Sequence, residues 1–310
     1  MFSRKRIKVE IIFYQTTYAS ALETTGVFGE GGERTQKGGI VFDDFKVDLT
    51  AKRIANAIGP TATIKVYGVS QEHMNSITTM MARDNLTIGD EKKVRVSIDN
   101  GGGYITLFEG WITEAVPVYQ TAPDCYIHIE SSMAAFENSV KLPPISFTNS
   151  DVAISDMCMA VCDAYGVDCK TSDLLKSQPK VDGRKLQLGS NDEGLNVRVG
   201  QLCEAYGLNA VPTLHGYKFF MEGENGDGLP KYFNPNNMQG YPTYKNRLIQ
   251  ISTEDFSDLD VNDKFIISGS EIPYANAEWF VVVIQYHLQT WTPNGKWCAI
   301  VTGGPVLGEL

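Results

Sequence analysis

The sequence predicts an α+β protein, predominantly β, with two β-rich regions flanking an α/β middle. Segments with a hydrophobic period of two crowd residues 6–130 and return over 247–302. Between them, residues 151–165 and 194–206 carry a helical period. The composition, 43% hydrophobic and 21% charged, belongs to an ordinary globular chain rather than a disordered one. A chain of 310 residues is long enough to divide into two or three domains.

In order, residues 6–13 (RIKVEIIF) alternate as a half-buried strand. Residues 26–39 are Gly-rich and read as a long hairpin tip or loop. Strands follow at 41–49, 61–67, 93–98, 104–108, 111–119 and 125–130, a pattern of a barrel or sandwich. A short helix is expected over 70–82, capped by Ser70, with Met74, Ile77 and Met81 at helical spacing. In the middle, Ile154, Met157, Cys158, Val161, Cys162 and Tyr165 share one helix face, and Gly166 stops the helix. Leu195, Val199, Leu202, Cys203 and Tyr206 repeat the pattern before Gly207, so CDAYGVD and CEAYGLN suggest two similar helix-to-strand units. Strands at 208–214 and 217–221 complete the middle, and strands at 247–252, 263–268, 278–290 and 296–302 form the second β region.

Several chemistries are poorly supported. The four histidines form no H-E-x-x-H, and there is no G-x-S-x-G elbow or G-x-x-x-x-G-K-[ST] phosphate loop. The six cysteines contain no C-x-x-C; Cys158 and Cys162 read as buried small hydrophobes rather than a metal or redox pair. No catalytic residue, cofactor or metal is expected. Lys8 and Glu10 interrupt the N-terminal apolar stretch, which argues against a signal peptide, and the run Phe280–Ile284 is too short to span a bilayer. The net charge of −10 argues against an electrostatic DNA or anionic-membrane binder.

The remaining constellations have plain readings. The loop at 26–39 lacks the helix start that a phosphate cradle needs. Phe28 within it either folds back onto its own domain or awaits a partner. Asp258, Asp260 and Asn262 resemble the opening of a calcium loop, but Asp263 stands where that loop needs Gly, so a turn is expected. Glu222, Glu224 and Asp227 read as a solvated hairpin tip. Glu109 and Glu114 flank Trp111, as acids do in some sugar clefts, although strand alternation explains them equally well. Val306 and Leu307, after Gly303-Gly304-Pro305, read as a docking tail beyond the last strand.

The segment 59–80, GPTATIKVYGVSQEHMNSITTM, resembles the baseplate (tail) hub proteins of tailed bacteriophages. The matching residues are Thr63-Ile64-Lys65-Val66-Tyr67-Gly68-Val69-Ser70 and Met74-Asn75-Ser76-Ile77-Thr78, with Val69 where the family usually has Leu. Phe108-Glu109-Gly110-Trp111-Ile112, Asn262 to Ser270, Trp279 to Leu288 and Pro293 to Trp297 follow in the family's order, with Asn262-Asp263 for its usual Gly-Asp. The resemblance implies two tube-type β-barrel domains, at 1–135 and 231–310, around an inserted α/β region at 136–230. It further implies a homotrimer in a pseudo-sixfold ring, joining the tail tube or its initiator to the central spike beside baseplate wedge or tape-measure components. DNA would pass through the lumen only in transit, within a virion, without stable membrane binding. Phe28, Gly31 and Arg34, with Val306 and Leu307, are the candidate interface residues. The alternatives are a tail-associated cell-wall hydrolase using Glu109 or Glu114, and a carbohydrate-binding module built on exposed aromatics.

Overall fold

The computed structural model describes residues 5–17, 33–54, 59–78, 90–99, 102–133, 142–190, 193–213, 216–221, 224, 229–256 and 259–305, and only the backbone of 15–17, 33–35 and 90–91. Thirteen strands share one sheet. From one edge the order is β14 (Thr243–Lys245), β15 (Leu248–Thr253), β18 (Trp297–Pro305), β17 (Glu278–Gln289), β3 (Val47–Ile54), β4 (Thr61–Tyr67), β7 (Tyr126–Ser132), β6 (Tyr104–Val118), β5 (Asp90–Asp99), β1 (Arg6–Thr17) and β2 (Glu33–Asp43). β16 (Lys264–Ile267) adds to β17, and β13 (Lys231–Phe233) adds to β16. Among the described residues the sheet does not close, and β14 and β2 end its path.

The two β regions therefore meet in one sheet. Val283–Gln289 of β17 pair antiparallel with Ile54–Asp48 of β3, while Glu278–Phe280 pair with β16. Alternation explains the shared core. Ile7, Val9 and Ile11 of β1, Leu49 of β3, Ile64 and Val66 of β4, and Ile284, Tyr286 and Leu288 of β17 are all buried in one cluster. The helix α1 (Gln71–Ile77) lies against it through Met74 and Ile77. Ser70 caps α1, accepting a hydrogen bond from the His73 N–H at 3.3 Å. The helix ends at Ile77, short of the expected 82, and Lys92 Nζ donates to the Ile77 and Thr78 carbonyls at 3.2 and 3.3 Å.

Glycine placement accounts for most differences from the expected strands. The expected strand 41–49 is two strands, because Asp44 adopts φ 67° and turns the chain between β2 and β3. Part of the expected loop at 26–39 is strand: Glu33–Gly39 pair with β1. A Cβ on Gly39 would lie 2.7 Å from the Ile11 carbonyl oxygen, so this close approach requires glycine. The expected strands 104–108 and 111–119 are one strand running through Gly110. Gly303, Gly304 and Pro305 belong to β18 and are not a breaker beyond it. A Cβ on Gly303 would strike the Phe265 ring at 2.5 Å, and one on Gly304 the Phe280 ring at 2.5 Å. These glycines leave room for the two rings to approach the backbone of the last strand.

The α/β unit has its own core. α2 (Ile154–Ala164) and α4 (Leu195–Tyr206) each end at a left-handed glycine, Gly166 (φ 65°) and Gly207 (φ 62°). α2 then leads into β9 (Asp168–Thr171) and α4 into β11 (Leu208–Thr213), both in a sheet of order β11-β12-β9 with β12 (Gly216–Met221). The CDAYG and CEAYG echo thus marks two helix–glycine–strand units feeding one small sheet. β8 (Ile145–Ser146), before the first unit, pairs with β10 (Gln187–Leu188), between the two. Ser172 caps the short α3 (Asp173–Lys176). Glu224 does not solvate a hairpin tip: its carboxylate accepts from Ser172 Oγ at 2.7 Å and from the Met221 N–H at 2.8 Å. Glu222 and Asp227 lie outside the described residues.

Arg198 of α4 is fully buried. Its guanidinium donates to the carbonyls of Pro143 (2.7 Å), Ser190 (3.2 Å) and Leu142, and lies 5.6 Å from the Tyr165 ring centroid. It fastens the entering chain to the helix. Between the α/β unit and the large sheet, Val211 and Phe220 pack on Val261. Within the large sheet, Arg53 of β3 donates to Asp260 at 3.3 Å and to the Leu107 carbonyl.

Glu109 of β6 is only 5% exposed and lies between Arg95 Nε (2.7 Å) and Lys93 Nζ (3.3 Å). Burial alone would raise its pKa. The hydrogen bond from Arg95 and the charges of Lys93 and Arg95 outweigh it and hold the carboxyl below its ordinary range.

Three outcomes follow from these contacts. Gly303→Val is expected to lower stability by about 2 kcal/mol in denaturant unfolding, through collision with Phe265, while Gly102→Ala, with open space around it, stays within ~0.5 kcal/mol. Arg198→Ala is expected to cost about 3 kcal/mol by stranding buried carbonyls, and Arg198→Lys to recover only part of that loss. Glu109→Gln is expected to cost about 2 kcal/mol at neutral pH. Because the folded pKa is depressed, that stabilisation is complete above the unfolded carboxylate range and is lost as pH falls through the folded value. The wild-type and Glu109→Gln unfolding midpoints should therefore converge in acid.

Candidate functional site

No catalytic constellation gathers around the residues singled out above. Glu109 is clamped as an anion, which makes it a poor general acid. Glu114 is exposed on the same strand, beyond a bulge at Ile112/Glu114, and faces Glu130 of β7. Asp260 and Asn262 shape a turn: the Asp260 N–H donates to Asp263 Oδ2 at 2.7 Å, and Asn262 adopts φ 72° before β16. Asp258 lies outside the described residues. Among the described residues no group of three His, Cys, Asp or Glu is arranged to hold a metal ion, and no helix is long and apolar enough to cross a membrane.

The most extensive feature is the sheet face turned away from the core. Because successive side chains alternate, pairing register aligns its outward residues into rows. One row runs His287, Thr50, Thr63 and Glu130, across β17, β3, β4 and β7. The next runs Gln289, Asp48, Lys65 and His128. A third runs Gln285, Lys52, Thr61 and Ser132. The face is polar, and its charges are mixed: Lys52 and Lys65 sit among Asp48, Glu130 and Glu114. It crosses without interruption from the C-terminal β region into the N-terminal one.

Local contacts hold these side chains in place. His128 Nε2 lies 3.4 Å from Glu130 Oε1. The Tyr67 and Tyr126 rings are 5.0 Å apart, with Lys46 4.5 Å from the first centroid and Lys65 5.6 Å from the second. Partial burial lowers the His287 pKa, helped by the Lys296 charge and opposed by Asp48, so this ring is neutral at neutral pH. A face of hydroxyls, amides and intermixed charges can touch a polyanion along its length without concentrating cations on it.

Two further surfaces flank this face. β2 and β14 each leave one edge without a strand partner among the described residues. Near β14, tyrosines collect: Tyr241 is 67% and Tyr274 83% exposed, and the Tyr244 hydroxyl donates to the Tyr274 carbonyl at 2.8 Å. The Tyr244 ring meets Trp279 edge-on at 5.6 Å. Exposed tyrosine is typical of contact surfaces between proteins.

Of the candidate interface residues, Phe28, Gly31, Val306 and Leu307 lie outside the described residues. Arg34 lies in β2, opposite Thr16 of β1, on a strand with one edge unpaired among the described residues. The polar face and the tyrosine cluster were missed in the sequence. The signal for the face was present as polar residues at alternate positions of four segments, but aligning them needs the register.

No family model matches the chain, and no curated protein matches it. Solved structures do. A 43 kDa tail protein of prophage MuSo2 from Shewanella oneidensis is 10% identical, with TM-score 0.56 over 95% of this chain and 96% of its own. The tail protein from Neisseria meningitidis MC58 is 8% identical, with TM-score 0.58 over 98% and 97%. The Escherichia coli c3393 protein is a component of the type VI secretion system, described as structurally similar to the T4 bacteriophage tail proteins gp27 and gp5. It is 10% identical, with TM-score 0.55 over 84% of this chain and 74% of its own. Over nearly its whole length, this chain has the fold of phage tail proteins.

Proposed function

We propose that this protein is a structural, non-enzymatic baseplate hub of a bacteriophage tail. Three copies form a pseudo-sixfold ring between the tail tube, or its initiator, and the central spike, beside wedge or tape-measure components. The polar sheet face lines the channel through which DNA passes in transit. The observation that carries this reading is the continuity of that face across both β regions, in a chain with the tail-protein fold. Its mixed charges suit a polyanion that must slide without being held.

The division proposed is a first tube-type barrel at 1–135, an inserted α/β region at 136–230 and a second tube-type barrel at 231–310. In the second region one contact supports barrel-like curvature: the chain after β13 reaches β15 through a bridge between Met238 and Thr253. The edges of β2 and β14 that are unpaired among the described residues, the latter with its tyrosines, are the surfaces proposed to meet neighbouring copies. The protein acts within the virion.

Light scattering on the purified protein, alone and with its spike, is expected to give the mass of a trimer. A strict monomer under both conditions overturns the ring. The channel assignment has its own test in Thr63→Arg, which adds a cation to the middle row. Virions carrying it should assemble normally but eject DNA more slowly, with the defect relieved as salt rises. Unchanged ejection would remove that face from the channel.

A further inference from the structure

The α/β unit and the large sheet are each tied together internally, and little ties one to the other. The chain passes from β7 into the unit once and returns to the sheet once, at β13. Within the unit, Val152 and Val181 exchange backbone hydrogen bonds at 3.0 and 2.9 Å, and Arg198 holds Leu142, Pro143 and Ser190. Within the sheet, Lys5 pairs with Glu254, and Arg53 joins β3 to Asp260 and Leu107. Among the described residues, no hydrogen bond or ion pair joins the unit to the sheet.

What does join them is small and apolar. Val211 of β11 pairs with Lys218, and Phe220 of β12 with Asn209, so Val211 and Phe220 lie on one side of their hairpin. Ala210 and Phe219, on the other side, belong to the unit's own core. Val211 and Phe220 close on Val261 of the large sheet's connecting turn. The rest of their side is polar: Asn209, Lys218 and, on β9, Lys170 opposite Lys218. Asp263 feels the charge of Lys218, but the two form no ion pair. Val261 itself sits on a braced turn. The Asn262 N–H donates to the Val281 carbonyl at 2.8 Å, and the Val281 N–H donates to the Asp263 carbonyl at 2.9 Å.

We propose that the α/β unit is a hinged arm that pivots as one body on Val261 while the large sheet keeps its shape. Two bodies with separate cores move relative to one another unless a large apolar interface holds them, and here the interface is three side chains. Apolar contact is non-directional. Val211 and Phe220 therefore roll over Val261 without breaking a hydrogen bond, whereas bending either body breaks several. The orientation of the arm is set by what it touches, so a sheet fixed in an assembly presents the arm to a neighbour at more than one angle. This motion belongs to the single chain and does not rest on the ring proposed above.

Pulsed electron–electron resonance on the full chain tests this, with spin labels carried on p-acetylphenylalanine so that the native cysteines stay untouched. One pair spans the joint, at the exposed Glu204 of α4 and Asn294 of the turn after β17. Two control pairs lie within the bodies, at the exposed Asp156 and Glu204, and at the exposed Gln120 and Asn294. The spanning pair is expected to give a broader distance distribution than either control. Val261→Asp, on the sheet side of the contact, is expected to broaden it further and leave both controls unchanged. A spanning distribution as narrow as the controls, or one that Val261→Asp does not widen, overturns the hinge. Should Val261→Asp widen a control, Val261→Ala takes its place under the same two readings.

Discussion

Backbone hydrogen bonding along one edge of β17 is divided between two strands that are far apart in sequence. Its first residues pair with β16, close by in the chain, and its last seven pair with β3. A bulge between Val281 and Val283 interrupts its pairing with β18 on the other edge. One strand thereby belongs to two neighbourhoods, and the single core containing Ile64 and Ile284 exists because of it. Arg53 is placed by the same pairing. It sits on β3 opposite Ile284, within reach of Asp260 and 5.7 Å from the Tyr286 ring centroid. Its guanidinium pKa is raised by Tyr286 and Asp260, although burial opposes the shift. A long-range β pairing of this kind costs loop-closure entropy before any contact compensates for it.

Much of the fold was legible because it is local. The period of two in RIKVEIIF and TATIKVY, the Ser70 cap, and the glycines ending both long helices each report the conformation of their own few residues. Misreadings arose where a distant partner decides. Gly303 and Gly304 look like a breaker until Phe265 and Phe280 are seen to lie against them. Gly39 looks like part of a loop until the Ile11 carbonyl is found beside it. Glu224 looks solvated until Ser172 arrives from the helix side of the unit. The polar face belongs to the same class. Thr50, Thr63 and His287 are unremarkable singly, and they form a row only through pairing between residues more than two hundred positions apart.

Net charge also changes meaning with placement. The chain has ten more acids than bases, yet the broad polar face mixes both signs. The acids of the core sheet are mostly engaged: Glu109 with Lys93 and Arg95, Asp43 with Arg6 and the Tyr104 hydroxyl, Asp260 with Arg53. Tyr104 responds by holding its proton up to about pH 12, through burial and its bond to Asp43. An acidic total is compatible with a face that is locally close to neutral, so bulk charge alone is a poor guide to what such a face touches.

The α/β unit interrupts the large sheet between β7 and β13, and it has a hydrophobic core of its own. This bears on the order of assembly. An unstructured connection of that length raises the entropic cost of bringing β17 to β3, whereas a folded one fixes the separation of its own ends. Arg198 strengthens the effect, because it pins the entering chain at Leu142 and Pro143 to α4. A unit that folds early therefore works as a rigid spacer, turning a search by a long floppy loop into the docking of two halves already held at short range.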